Sequence, residues 1–215
     1  IENALDAGVD CIEHYEFVEF DYKRRLDPRI GERMIEQSVY LSPTIQTGYR
    51  KLEQMRKLAE ERPLTQAEID QLSFYEWKQE GQVYITGKLY EMGATKFLMG
   101  TDAIAEFGDY GIGLKLMVDG GLSNEAALFA ATRNTAEALG IMENAGTLEV
   151  GKDADITVVD GNPMKDIEDV QKVTQVVKSG FPLPMEGLGL FPHGPGAAIV
   201  KGKPLPTNPQ VIKNL

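Results

Sequence analysis

The sequence predicts an α/β fold with parallel strands, followed by a smaller layer of short β-strands. Helix-like and strand-like periodicity alternate as far as about Ile141, and short strand-like runs separated by Gly and Pro come after it. Alternation of this kind implies parallel strands joined by crossover helices. The 215 residues, 42% of them hydrophobic, are enough to bury a sizeable core. We therefore expect one part over residues 1–145 and a second over residues 146–215.

Three strand candidates lie in the first part. They are Gly8 to Glu13, Val39 to Thr44 and Lys96 to Thr101, and each follows a helical stretch. Strands that alternate with helices in this way are expected to lie side by side and parallel.

A helical insertion is predicted over residues 49–80, between the second and third strands. Apolar residues recur there at helical spacing, and Thr65 with Glu68 forms a capping box that starts the second helix of a hairpin. The hairpin could be a lid over a site or simply a solvated helical pair.

One further helix is predicted from Ser123. Ser123 suits the N-cap, and Gly140 suits a left-handed residue after the last turn. Four residues share one predicted face: Leu128, Ala131, Thr135 and Leu139.

The second part is predicted to contain a small β layer. The runs GTLEVGKDADITVVDG and VTQVVKSG are strand-like, and Gly151 to Asp153 suits a tight hairpin, with Ile156 and Val158 packed in the layer. The tail from Phe181 is rich in Pro and Gly and predicts an extended loop. Its runs VVKSGFPLP and IVKGKPLP are similar, either as two strands of like role or by chance.

The composition excludes several classes of protein. The 22 basic residues against 33 acidic ones give a net charge of −11, which argues against a nucleic-acid or anionic-membrane surface. No apolar run of about 18 residues is present to cross a bilayer. The single cysteine excludes an internal disulfide.

His14 and Asp102 are the candidate functional residues, because each directly follows a predicted strand. In α/β barrels, catalytic groups lie just past the carboxyl ends of the strands. Period-two alternation predicts that His14 shares a face with Ile12. On spacing alone, a lone histidine at a strand end such as His14 is more often a hydrogen-bonded structural residue than a metal ligand, and Asp102 could cap the next helix or turn.

A set of motifs in order resembles the amidohydrolase superfamily. The motifs are GVDCIEH, Pro43-Thr44, FLMGTDA, NTAEALG and AGTLEVGKDADITVVDGNP. The sequence is most similar to imidazolonepropionase-like members and to prolidase-like (Xaa-Pro dipeptidase type) members, from Ile1 to about Pro182.

The resemblance implies the C-terminal part of a TIM (β/α)₈ barrel with a small composite β-sandwich. His14 would match a metal-ligand histidine after the sixth strand. Asp102 would match an aspartate after the eighth strand that binds metal and handles the proton of the attacking water. The implied cofactor is Zn²⁺ or another divalent metal, as one or two ions. The implied reaction is hydrolysis of a C–N bond in a small substrate such as a dipeptide, an N-acyl amino acid or a cyclic amide.

The remaining acidic and histidine residues are expected outside the site. Asp153, Asp155 and Asp160 suit turns and strand ends rather than a metal site, and His193 in the tail suits a surface residue. Members of the superfamily often carry a histidine shortly after the strand-eight aspartate. Here that segment has Asp109 and Tyr110 instead.

The resemblance also implies metal ligands that this sequence lacks. They are a His-x-His after the first strand, a lysine or glutamate after the fourth and a histidine after the fifth. A catalytic zinc takes at least three protein ligands. We therefore expect the chain to be a fragment of a longer polypeptide, or to assemble with a complementary chain, with a homo-oligomer as a further option. The alternative function is a non-catalytic half-barrel subunit or interaction module.

Overall fold

The computed structural model describes residues 1–102 and 110–185, in which helices and strands alternate as predicted. The helices are α1 (Glu2–Ala7), α2 (Pro28–Glu36), α3 (Tyr49–Glu61), α4 (Gln66–Glu91), α5 (Tyr110–Asp119), α6 (Asn124–Ala131) and α7 (Arg133–Ala138). The strands are β1 (Cys11–Glu13), β2 (Tyr40–Ser42), β3 (Ile156–Val159), β4 (Val173–Lys178) and β5 (Phe181–Pro182), with a 3₁₀ turn at Ile167–Gln171. No helix of the described part is both long and apolar enough to cross a membrane.

The first sheet is parallel, as predicted. Strand β1 pairs with β2 in the register Ile12 to Leu41, and Leu41 forms a parallel bridge with Phe97. The third predicted strand thus lies beside β2, but it contributes only this bridge and its neighbouring hydrogen bonds. Within the described residues the sheet does not close into a barrel.

The core lies between this sheet and the helices that cover one of its faces. Ile12, Leu41 and Phe97 occupy neighbouring positions on that face and are all buried. The helices add side chains that are almost completely buried: Met34, Ile85, Leu89 and Met117. Burial of this apolar surface is the main stabilising contribution.

The helical hairpin forms, and its second helix is longer than predicted. Thr65 and Glu68 make both bonds of the capping box, as predicted. Helix α4 then continues past residue 80 to Glu91, and Ile85 and Leu89 in its last turns are buried in the core. The second helix is therefore part of the main packing, and its first half packs against α3, whose Leu52 and Met55 are buried.

The prediction of one helix after Ser123 was wrong, because the helix breaks at Thr132. Ser123 and Gly140 do cap the two ends as predicted. At the break Thr132 has φ −130° and ψ −87°, and its hydroxyl donates to the carbonyl of Leu128. A side-chain bond of this kind, to the carbonyl four residues back, bends a helix and slightly destabilises it.

The break at Thr132 is fixed by a contact with the first sheet. The Asn134 amide donates to the carbonyls of Thr95 and Phe97, which ties the start of α7 to the third parallel segment. Leu139 lies on the predicted face of a continuous helix, but it is 67% exposed. Tertiary hydrogen bonds therefore override the local helical pattern.

The second sheet is a small antiparallel layer of β3, β4 and β5, as predicted in kind. A register shift lies between Val158 and Val159, and Val158 is 44% exposed instead of packed. Gly151 makes a turn, but residues 147–150 form no strand, so the predicted tight hairpin is absent. Residues 186–215, with the run IVKGKPLP and His193, lie outside the described residues, and so does Asp109.

Candidate active site

Three side chains follow the carboxyl ends of the three parallel segments. They are His14 after β1, Thr44 after β2 and Asp102 after the third segment. All three have a left-handed backbone, with φ of 55°, 45° and 44°. Such values are uncommon outside glycine, and in a β-branched residue such as Thr44 they are exceptional. Backbone strain of this kind tends to collect at functional sites.

The structure brings the two predicted site residues together. His14 Nε2 lies 3.7 Å from Asp102 Oδ2, and the two side chains are 47% and 43% exposed. This separation exceeds that of an N–H···O hydrogen bond but is within ion-pair range. Within the described residues, the pair therefore lies past the carboxyl ends of the parallel segments and is exposed to solvent.

The orientation of His14 differs from the period-two expectation. Ile12 is buried under the helices, whereas the imidazole of His14 is about half exposed. The left-handed φ of His14 turns the chain out of the strand, so the alternation of faces ends at Glu13.

His14 is held at its backbone and at one ring nitrogen. Its backbone N–H donates to the carbonyl of Ser42, 3.0 Å away. Its Nδ1 lies 2.8 Å from Oγ1 of Thr44. The second ring nitrogen, Nε2, is the one that faces Asp102. A histidine that binds a metal through one nitrogen commonly makes a hydrogen bond of this kind through the other.

The segment that ends at Asp102 is fixed from two sides. The Thr47 hydroxyl donates to the carbonyl of Thr101, 3.3 Å away. The Tyr110 hydroxyl donates to the carbonyl of Met99, 2.7 Å away, and burial raises the pKa of this phenol. Tyr110 thus has a structural bond within the sheet. A bond from Asp102 to the segment directly after it would lie outside the described residues.

A buried polar network next to the segments that carry His14 and Thr44 was not predicted from the sequence. Gln82 of α4 donates to the carbonyl of Pro43 and to Glu16. Glu16 pairs with Arg24 at 2.6 Å, and the Arg24 guanidinium lies 3.9 Å from the ring centre of Trp77. The network ties α4 to the loop that follows His14. One sequence signal was available, a glutamine among the apolar residues of a helix face.

Among the acidic residues of the second part, Asp155 is engaged by neighbours within its own sheet. Asp155 accepts bonds from the Lys178 ammonium and the Ser179 backbone, and Lys178 is the main cause of its lowered pKa. Among residues 1–102 and 110–185, no group of three or more His, Cys, Asp and Glu side chains is placed to hold a metal ion. His14 and Asp102 thus offer two ligands, which fits part of a catalytic zinc site but not a whole one.

Comparison with known families decides the ancestry. The sequence pattern described as "Amidohydrolase family" matches residues 1–183. The chain belongs to the amidohydrolase family. The resemblance seen in the sequence motifs is thereby confirmed, and the α/β fold is one related to the TIM barrel.

Several solved structures are similar over most of this chain. A Xaa-Pro dipeptidase with methionine bound in its active site is 30% identical, with a TM-score of 0.64 over 85% of this chain and 41% of that one. A putative prolidase from Bifidobacterium longum is 26% identical, with a TM-score of 0.63 over 85% of this chain and 44% of that one. Phenylurea hydrolase B, 19% identical with a TM-score of 0.64, covers 92% of this chain and 44% of its own length, and shows the fold alone.

The chain spans less than half the length of each of these three proteins. The comparison with curated proteins found no match.

Proposed function

We propose that this chain is part of a metal-dependent amidohydrolase that hydrolyses a C–N bond in a small substrate. Membership of the amidohydrolase family supports the reaction class. A 30% identical Xaa-Pro dipeptidase and a 26% identical putative prolidase make dipeptides the first substrates to test. N-acyl amino acids and cyclic amides form the next group.

One observation carries the proposal: His14 Nε2 and Asp102 Oδ2 lie 3.7 Å apart past the ends of parallel segments. An imidazole nitrogen and a carboxylate are both ligands of Zn²⁺ and similar ions. In this proposal His14 and Asp102 hold Zn²⁺ or another divalent metal, as one ion or two. Such a metal, when bound, supplies a water of lowered pKa and polarises the carbonyl of the substrate.

Asp102 is proposed to handle the proton of the reaction. A carboxylate beside the attacking water can accept its proton and return it to the departing nitrogen. His14 is proposed to orient the same site through Nε2, with its other nitrogen engaged by Thr44. The half-exposed position of both side chains supports access by a small substrate.

The remaining ligands are proposed to come from residues outside this sequence. The three parallel segments would be the last three strands of a (β/α)₈ barrel, with residues 1–145 in the barrel and residues 146–215 in a composite β-sandwich. The other strands would belong to an N-terminal half of the same polypeptide or to a complementary chain. A natural protein of intact mass near 23.7 kDa that is monomeric in solution would contradict this part of the proposal.

The experiment starts with the gene upstream of Ile1, where a His-x-His motif is expected. The longest encoded protein is then assayed for Zn²⁺ and Mn²⁺ content and for hydrolysis of Xaa-Pro and other dipeptides. We expect near-stoichiometric metal and hydrolysis that are lost in His14→Ala and in Asp102→Ala. Asp155→Asn is the matched control, since this aspartate is engaged with Lys178, and it should keep both properties.

Two results would overturn the proposal. One is an assembled protein that contains no metal and hydrolyses none of these substrates, which would favour the non-catalytic half-barrel subunit. The other is full activity in the Asp102→Ala variant.

A further inference from the structure

We propose that Thr44 is a positioning residue that holds the His14 imidazole in one tautomer. In this tautomer the proton is on Nδ1, and the lone pair of Nε2 is directed toward Asp102. The role of this tautomer in catalysis rests on the proposed function, whereas the hydrogen bonds that select the tautomer do not depend on it. Thr44 touches neither substrate nor metal in this scheme and acts only through His14.

The tautomer follows from counting hydrogens around the Thr44 hydroxyl. Oγ1 of Thr44 lies 2.8 Å from the carbonyl oxygen of Pro43 and 2.8 Å from Nδ1 of His14. A hydroxyl has one hydrogen to donate, and a carbonyl oxygen can only accept. The hydroxyl therefore donates to Pro43, and Nδ1 of His14 must donate its own proton to the hydroxyl oxygen.

The opposite arrangement is disfavoured by the same distances. If the hydroxyl donated to Nδ1, the oxygens of Thr44 and Pro43 would face each other 2.8 Å apart with no hydrogen between them. Two acceptors at that distance repel each other, because each presents a lone pair.

The geometry on the far side of the ring is compatible with this tautomer. An Nε2 proton facing a carboxylate would form a charge-assisted or neutral hydrogen bond of about 2.7 to 3.2 Å. The observed separation of His14 Nε2 and Asp102 Oδ2 is 3.7 Å. At this separation no N–H···O bond to Asp102 requires a proton on Nε2.

Thr44 is held firmly enough to impose this choice. It is 2% exposed and has φ 45°, and its carbonyl accepts from the backbone N–H of Thr47. The carbonyl of Pro43 also accepts from Gln82 of the buried network. The hydroxyl is thus fixed between two anchored partners, and an unprotonated Nε2 is the form in which histidine can act as a ligand or base.

The test is the protonation pattern of the ring, measured by ¹⁵N NMR on the longest encoded protein, labelled at histidine and stripped of metal with a chelator. The signals of His14 are assigned by their loss in a His14→Gln variant. At a pH where the spectrum shows a neutral ring, we expect the proton on Nδ1. Thr44→Val removes the hydroxyl at nearly constant shape and should give a mixture of tautomers, whereas Thr44→Ser should restore the wild-type pattern.

Thr86→Val is the matched control. Thr86 is also a buried threonine, but its hydroxyl bonds to Tyr15 and not to His14. This variant should lose stability without any change of the His14 tautomer. A merely structural role for Thr44 would make Thr44→Val and Thr86→Val alike in the spectrum.

The inference is overturned if wild-type His14 carries its proton on Nε2, or if a folded Thr44→Val keeps the wild-type pattern. If Thr44→Val does not fold, the wild-type and Thr44→Ser spectra decide the question. These spectra need neither metal nor substrate. A protein that binds no metal would therefore defeat the proposed function while leaving the tautomer result intact.

Discussion

The close approach of α4 to the turn after α5 makes Gly87 a sharp test of the packing. A Cβ built on Gly87 of α4 would lie 1.8 Å from the carbonyl oxygen of Gly120, which follows α5. Cβ atoms are essentially never closer than 3.0 Å to another heavy atom, so Gly87→Ala must move the two backbones apart by about 1.2 Å. No side-chain rotation can relieve the contact, because the opposing atom belongs to the backbone.

The expected cost of Gly87→Ala follows from two opposing effects. Overpacking of a filled interior costs about 1 to 3 kcal/mol and sometimes more. Alanine in place of glycine within a helix raises the free energy of unfolding by about 1 kcal/mol, because alanine has the higher helix propensity. Since α4 also carries Ile85 and Leu89, both almost completely buried, its displacement opens further core contacts. We therefore expect the free energy of unfolding to fall by about 1 to 2 kcal/mol.

Urea unfolding followed by far-UV circular dichroism measures this change. Gly31→Ala in α2 is the matched control, because its Cβ would meet the end of the flexible Met92 side chain at 2.7 Å. That methyl group can move, so the control should lose less than about 0.5 kcal/mol or become slightly more stable. Wild-type stability in Gly87→Ala, or an equal loss in Gly31→Ala, would refute the argument.

Three further predictions concern single groups. Burial first, and then the Glu13 carboxylate, raises the pKa of the single cysteine, Cys11, to about 11. Its reaction with a disulfide reagent at pH 8 should thus be on the order of a hundredfold slower than that of a free thiol, and faster in Glu13→Gln. Ser123→Ala should cost about 1 kcal/mol in urea unfolding through loss of the α6 cap, and Ser123→Asn should retain most of it. The lowered pKa of Asp155 means that its bond to Lys178 stabilises the fold above pH about 4 and is lost as the pH falls further. As the pH falls below about 4, the free energy of unfolding of Asp155→Asn should thus decrease less than that of the wild type, by a difference smaller than about 1 kcal/mol. An equal decrease in the two proteins would contradict this.

The sequence predicted the two main residues of the candidate site, but it did not predict the hydrogen bonds that hold them. His14 and Asp102 stood out because each follows a strand-like run, and the carboxyl ends of parallel strands meet at one edge. Thr44 was visible only as part of a motif, and its bond to His14 was not predicted. Such a contact depends on the left-handed φ of both residues, which no local pattern of L residues encodes.

The fold was predictable wherever local chemistry agrees with packing. The capping box at Thr65, the N-cap at Ser123 and the left-handed Gly140 are local signals, and all three form as expected. The break at Thr132 was not predicted, because it depends on Asn134 bonding to a segment distant in the chain.

By itself, the amino-acid sequence determined the family, the alternation of helices and strands and the residue types available for chemistry. Hydrophobic period, caps and turns act over a few residues, so they can be read without knowing what lies nearby in space. Only the tertiary structure decided that His14 and Asp102 lie 3.7 Å apart, with Thr44 behind the ring. The two residues are close because β1, β2 and the third segment pair side by side, and the order of parallel strands sets which strand ends become neighbours.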